Sequence, residues 1–129
     1  MNTEPKIENA RIISTMLGAE DHGIFTASLI LEGDGWQCAF GGAALDKPSK
    51  DRTREPFRVG CAYGCEYIRR LLEVLEVPSW EKLAGALVRV RSGGIGGRIH
   101  AVGHIIKDRW FNPETDPTLN NLLKAEREH

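Results

Sequence analysis

Cations beside aromatic rings are the clearest chemistry this chain carries. Lys107, Asp108, Arg109, Trp110, Phe111 and Asn112 follow one another directly. A guanidinium holds phosphate while a flat ring stacks on a base, so such a segment suits a nucleotide. Packing competes for the same residues. Trp110 and Phe111 also suit the closing of a core where a chain leaves a sheet, and one of the two can do each job. A second basic group surrounds SGGIGGR, from Ser92 to Arg98. Arg89, Arg91 and Arg98 flank it, and Arg58 lies upstream. Glycine-rich turns can aim successive N–H groups at an anion. The segment lacks the ending of a Walker loop, and it joins two expected strands rather than a strand and a helix. A flexible hairpin with solvated arginines is the plainer reading.

Metal and nucleophile chemistry are weaker. His100 and His104 have the i, i+4 spacing of a helical ligand pair. On a strand that spacing spans about 13 Å at about 3.3 Å per residue, too far for one ion. Cys61 and Cys65 fall on one helical face, but no Cys-x-x-Cys motif and no nearby histidine partners them, so they read as small core thiols. Ser14, Thr15 and His22 are close in sequence, yet nothing fixes a triad and there is no G-x-S-x-G elbow. Any histidine could act as acid or base. The paired H-x-T or H-x-S tripeptides of two-histidine phosphodiesterases are absent. These residues give no catalytic set, no metal site and no cofactor.

The elements that position them follow from periodicity. A first strand is expected near residues 8–16, and Gly18 to Gly23 is turn-rich. Phe25, Ala27, Leu29 and Leu31 alternate with polar neighbours as a second strand. Gly33-Asp34-Gly35 is a hairpin signal, after which Trp36, Cys38 and Phe40 continue a third strand that ends at Gly41-Gly42. Residues 46–57 read as a charged loop. Tyr63, Tyr67, Ile68, Leu71, Leu72 and Leu75 form one helical stripe, stopped before Pro78. Ser79 is a weak cap for a short turn, since Lys82 stands where a capping box wants Glu. A fourth strand is expected over 86–91. Ile99, Ala101, Gly103 and Ile105 alternate with His100, Val102, His104 and Ile106 as a fifth, after which KDRWFNP leaves the sheet. Asp116 and Pro117 have the chemistry of a helix start, with Leu119, Leu122 and Leu123 along one side. The order β-β-β-α-β-β-α predicts an α+β fold: an antiparallel sheet with helices on one face.

Composition bounds the class. The chain has 129 residues, formal net charge −1 and 27% charged residues, which fits one globular domain over 1–129 with residues 1–6 and 125–129 expected to fray. That charge argues against a duplex nucleic-acid partner and against an acidic DNA mimic. No stretch is apolar enough for a membrane span, and none follows the start as in a signal peptide. Three cysteines and no leader point to reduced thiols in a cytoplasm.

Five blocks in a fixed order carry a resemblance: STMLGAEDHGIF (14–25), WQCAFGGAALD (36–46), RVGCAYGCEYIRRLLEVL (58–75), SWEKLAGALVRV (79–90) and HAVGHIIKDRWFNP (100–113). The chain resembles small phage and prophage proteins, the first-type Thoeris anti-defence sponges. The resemblance implies a non-catalytic protein that sequesters a cyclic ADP-ribose-type immune signal in the cytoplasm of an infected bacterium, with CBASS cyclic oligonucleotides as further ligands. It also implies a homo-oligomer with sites between subunits. Carried onto matching blocks, it suggests Arg58, Arg91, Lys107, Arg109 and Trp110 as ligand-binding residues. Ala43 stands where the family often has a larger aromatic. Two other readings compete: an enzyme degrading such a signal with His22 or His104, and a protein–protein inhibitor of a host defence enzyme.

Overall fold

The computed structural model describes residues 6–93 and 98–127. Three long antiparallel strands open the chain: β1 (Lys6–Asp21), β2 (Ile24–Gly33) and β3 (Trp36–Ala44). Both connections are two-residue turns. His22 and Gly23 adopt φ of 54° and 78°, the left-handed pair that matches strand twist in a hairpin. β1 exceeds the expected 8–16 because it has two partners. Lys6–Arg11 pair with a later strand, and β2 pairs along the rest of β1 to Asp21.

The expected loop over 46–57 is partly ordered by pairing. β4 (Asp46–Pro48) and β5 (Arg58–Gly60) form a separate two-stranded ribbon. Helix α1 (Ala62–Leu75) follows; it buries Tyr63, Tyr67, Leu71 and Leu75 of the expected stripe, buries Val74 beside them, and leaves Ile68 and Leu72 partly exposed. It ends before Pro78, at Glu76, whose φ of 56° is left-handed and whose N–H bonds back to the Glu73 carbonyl. A 3-10 turn at Trp80–Lys82 follows, and Ser79 makes no side-chain cap there.

β6 (Leu87–Gly93), β7 (Arg98–Gly103) and β8 (Trp110–Phe111) complete a sheet of order β3-β2-β1-β6-β7-β8. Residues 94–97 of the glycine-rich connection lie outside the described residues. Two expectations are corrected here. The fifth strand does not run on to Ile105 and does not alternate simply. Arg91 pairs with Ala101 and Ser92 with Ile99, so His100 is an extra residue. That bulge turns both Ile99 and Val102 to the core, where simple alternation would separate them, and Ile106 stands 81% exposed. Nor does KDRWFNP leave the sheet, because Trp110 and Phe111 pair with Gly103 and Val102 as a sixth strand.

Helix α2 (Pro117–Arg127) starts as its chemistry requires. Asp116 Oδ1 accepts the Leu119 N–H at 3.1 Å, and Pro117 takes the first helical position. With β1 beginning at Lys6 and α2 running to Arg127, part of the ends expected to fray lies in regular structure. The core lies between α1, the start of α2 and one face of the sheet. Ala10, Ile12, Leu29, Leu31, Val88, Val90, Val102 and Phe111 face it. The outer strands converge: the Phe40 and Phe111 rings lie 6.4 Å apart, with Tyr67 5.0 Å from Phe111. The sheet therefore curls around α1.

Gly64 sets how close that helix comes. A methyl group there would overlap the Leu45 carbonyl, so the backbone of residue 45 crosses directly over α1. Gly64→Ala should destabilise the fold by about 1–3 kcal/mol despite alanine's better helix propensity, because backbone has to move. Urea unfolding followed by circular dichroism measures it. An unchanged or raised midpoint would contradict the close approach.

Candidate functional site

The five residues suggested by sequence divide among three basic places. The first is a cleft of about 980 Å³ between the β4–β5 ribbon and the helices. Lys47, Lys50, Arg52 and Arg58 line it above Tyr63, with Asp46 and Glu126 as its carboxylates. Arg58 is held in place: its Nε donates to Asp46 Oδ1 at 2.9 Å and its Nη2 lies 2.8 Å from the same oxygen. Burial alone would raise the Asp46 pKa. The Arg58 hydrogen bond and charge, with the Phe25 N–H, outweigh it and hold this carboxyl below the usual range. Lys47, Lys50 and Arg52 form no ion pair among the described residues. The Cys61 thiol donates to the Leu45 carbonyl at 3.3 Å, and burial pushes its pKa up, away from nucleophile chemistry.

Arg91 and Trp110 come together on the opposite, helix-free face of the sheet. Alternation decides this. Val88, Val90 and Phe111 point into the core, so Arg89, Arg91 and Trp110 point away from it. The Arg91 guanidinium sits over the Trp110 ring at 4.2 Å and that of Arg89 at 5.0 Å. The indole lies directly on Gly103, where a methyl group would come within 2.8 Å of the ring.

Lys107 and Arg109 form the third place, against the end of α1. Lys107 Nζ lies 2.9 Å and Arg109 Nη1 3.5 Å from Glu76 Oε2. His104 Nε2 is 3.3 Å from the same oxygen, while its Nδ1 accepts the N–H groups of Ile106 and Lys107 at 3.1 and 2.9 Å. A ring nitrogen that accepts carries no proton, so the hydrogen bonds place the neutral imidazole's proton on Nε2, toward Glu76. Arg109 and Trp110 are neighbours in sequence but serve opposite sides of the sheet.

His100 and His104 do not meet. His100 packs by Gly93 and lines a smaller cavity of about 540 Å³ with Phe40, Tyr63, Tyr67 and Asn120. Cys65 is exposed rather than in the core, and Cys61 only half-buried. Among the described residues no three metal-ligating side chains stand together, and no helix is long and apolar enough to cross a membrane. The unpaired Lys47, Lys50 and Arg52 were missed by sequence reasoning, because only the ribbon pairing folds their loop back over Tyr63. Comparison with protein families, curated proteins and solved structures returns no match.

Asp46 predicts a pH dependence. A depressed folded pKa stabilises the protein fully above the unfolded value of about 3.9, and that contribution is lost as pH falls through the folded value. The thermal midpoint of the native protein should drop between about pH 5 and pH 2 by more than that of Asp46→Asn. Equal drops would show that the Arg58–Asp46 pair adds nothing.

Proposed function

We propose that this protein captures a cyclic nucleotide signal of the cyclic ADP-ribose type and holds it intact. It would act in the cytoplasm of an infected bacterium, as the resemblance to Thoeris anti-defence sponges implies. The observation that carries the reading is the cleft. Its volume of about 980 Å³ is nucleotide-sized, and its lining sets four cations against two carboxylates over a tyrosine ring. Two phosphates joined in a ring need cations from several directions, and Lys47, Lys50 and Arg52 hold no internal carboxylate among the described residues. Arg58 is braced by Asp46, so one cation is pre-positioned before ligand arrives. Lys107 and Arg109, engaged with Glu76, fit a structural part in this reading.

Titration calorimetry with a cyclic ADP-ribose isomer, followed by heating and chromatography of the released ligand, tests the proposal. Uptake with intact release supports it. Altered ligand means an enzyme, and no uptake leaves inhibition of a protein partner. Arg52→Ala should weaken capture about tenfold or more, because a charged hydrogen bond contributes about 1.5–3 kcal/mol and about 1.4 kcal/mol is tenfold. The exposed position predicts a change in stability below about 0.5 kcal/mol. The reading also includes self-association, and a monomer by light scattering at micromolar concentration would count against it.

A further inference from the structure

Apart from Arg52 in the cleft, the described arginines that hold no carboxylate share one surface. Arg54, Arg58, Arg69, Arg70, Arg98 and Arg109 each hold an Asp or Glu. Arg11, Arg89 and Arg91 form no ion pair among the described residues, and strand alternation puts all three on the helix-free face. Arg89 and Arg91 are two residues apart on β6, and Arg11 lies on the neighbouring β1, level with Leu87. The carboxylates at hand do not neutralise them. Glu32 stands across from Arg11 without forming an ion pair, and Asp108 accepts the Trp110 indole N–H at 3.0 Å.

We infer that this face is a second binding surface, separate from the cleft, and that it takes single-stranded nucleic acid. Three features select that partner. Arg11 and Arg89 donate only to backbone carbonyls and Arg91 to no acceptor among the described residues, so the three charges, uncompensated by a carboxylate, suit anions spaced along a strand, as a phosphate backbone supplies them. Arg91 lies over the Trp110 ring at 4.2 Å while Gly103 backs the indole from the other side, so the outward surface of the Arg91 guanidinium is the platform where a splayed base can stack. Leu87 and Ile7, about half exposed at 54% and 51%, flank the arginines with apolar surface for further bases. Among the described residues no helix covers this sheet face, which suits an extended chain better than a small enclosed ligand. A duplex keeps its bases stacked inside and would leave the platform unused.

Arg89 shapes the platform from within. Its Nε donates to the His104 carbonyl at 2.8 Å and its Nη2 to the Lys107 carbonyl at 2.6 Å, so it ties the 104–109 loop to the sheet. Arg91 makes no such bond among the described residues and is the cleaner residue to change.

The test is fluorescence anisotropy of labelled oligothymidine and oligouridine of about ten nucleotides at about 50 mM salt. Saturable binding with a dissociation constant of about 1–100 µM is expected. Three phosphate contacts give a slope near −2 in log K against log salt, so fourfold more salt should weaken binding roughly 20-fold. Arg91→Ala should weaken binding at least about fivefold and lower the slope by about 0.7, with Arg91→Lys in between because it keeps charge but loses the plane. Arg52→Ala in the cleft should leave oligonucleotide binding unchanged, so the two readings fail separately. Circular dichroism on each sample confirms folding. No binding at about 100 µM, or binding indifferent to Arg91→Ala and Arg91→Lys, would overturn the inference. So would displacement of the strand by polyglutamate as readily as by unlabelled oligothymidine, which would mean an acidic peptide surface.

Discussion

The contact of Tyr67 with Phe111, beside Phe40, is the constraint on which the remaining architecture depends. Phe40 comes from one edge strand and Phe111 from the other. An open sheet of this order has no reason to bring its edges together. Burying three large rings against one helix supplies one, since each aromatic removes about 150–250 Å² from water. Curling the sheet also defines its two faces. The concave face receives α1 and the start of α2, and among the described residues no helix covers the other face. Once Phe111 points inward, Trp110 has to point outward and Arg109 back toward the helix. Three consecutive residues thereby enter three different environments.

Electrostatics divides the molecule along the same line. On the helical side arginines are matched: Arg69 bridges Glu66 and Glu73, and Arg70 joins Glu73 to the buried cap Asp116. Exposed pairs of this kind are each worth little, about 0–1 kcal/mol, so stability does not explain their number. Their effect is to leave that side close to neutral. With a net charge of only −1 over the whole chain, the unmatched cations of the cleft and of the open face become local exceptions. Small binding sites in a neutral protein need such local concentrations, because no long-range field draws ligand in.

What sequence made legible was local. The α1 stripe, the Asp116-Pro117 helix start and the tight turns at His22-Gly23 and Asp34-Gly35 depend on residues within a few positions of each other. The features it hid depend on distant pairing. β8 is two residues long and exists because Val102 and Gly103 offer an edge. The His100 bulge is a register event with no composition of its own, and it interrupted the simple alternation expected for the fifth strand. The cleft joins residues 44–59 to Leu123 and Glu126 across most of the chain. For Trp110 and Phe111 sequence offered two jobs for two residues. Only the pairing of β8 decided which ring packs and which faces out.

Glu76 shows how the two sides are tied together. Its left-handed backbone favours glycine, and a side chain there costs about 1 kcal/mol or more. Glycine would end α1 more cheaply, but it would give up the carboxylate that Lys107, His104 and Arg109 share. These contacts hold the 104–109 loop from the helical side. Arg89 holds the same loop from the open face through the carbonyls of His104 and Lys107. His104 completes the clamp by accepting two amides of the loop on one ring nitrogen. Loosening any of these contacts would move Trp110, whose ring rests where the loop re-enters the sheet. The strained glutamate therefore makes physical sense as one end of a brace whose other end positions the open face.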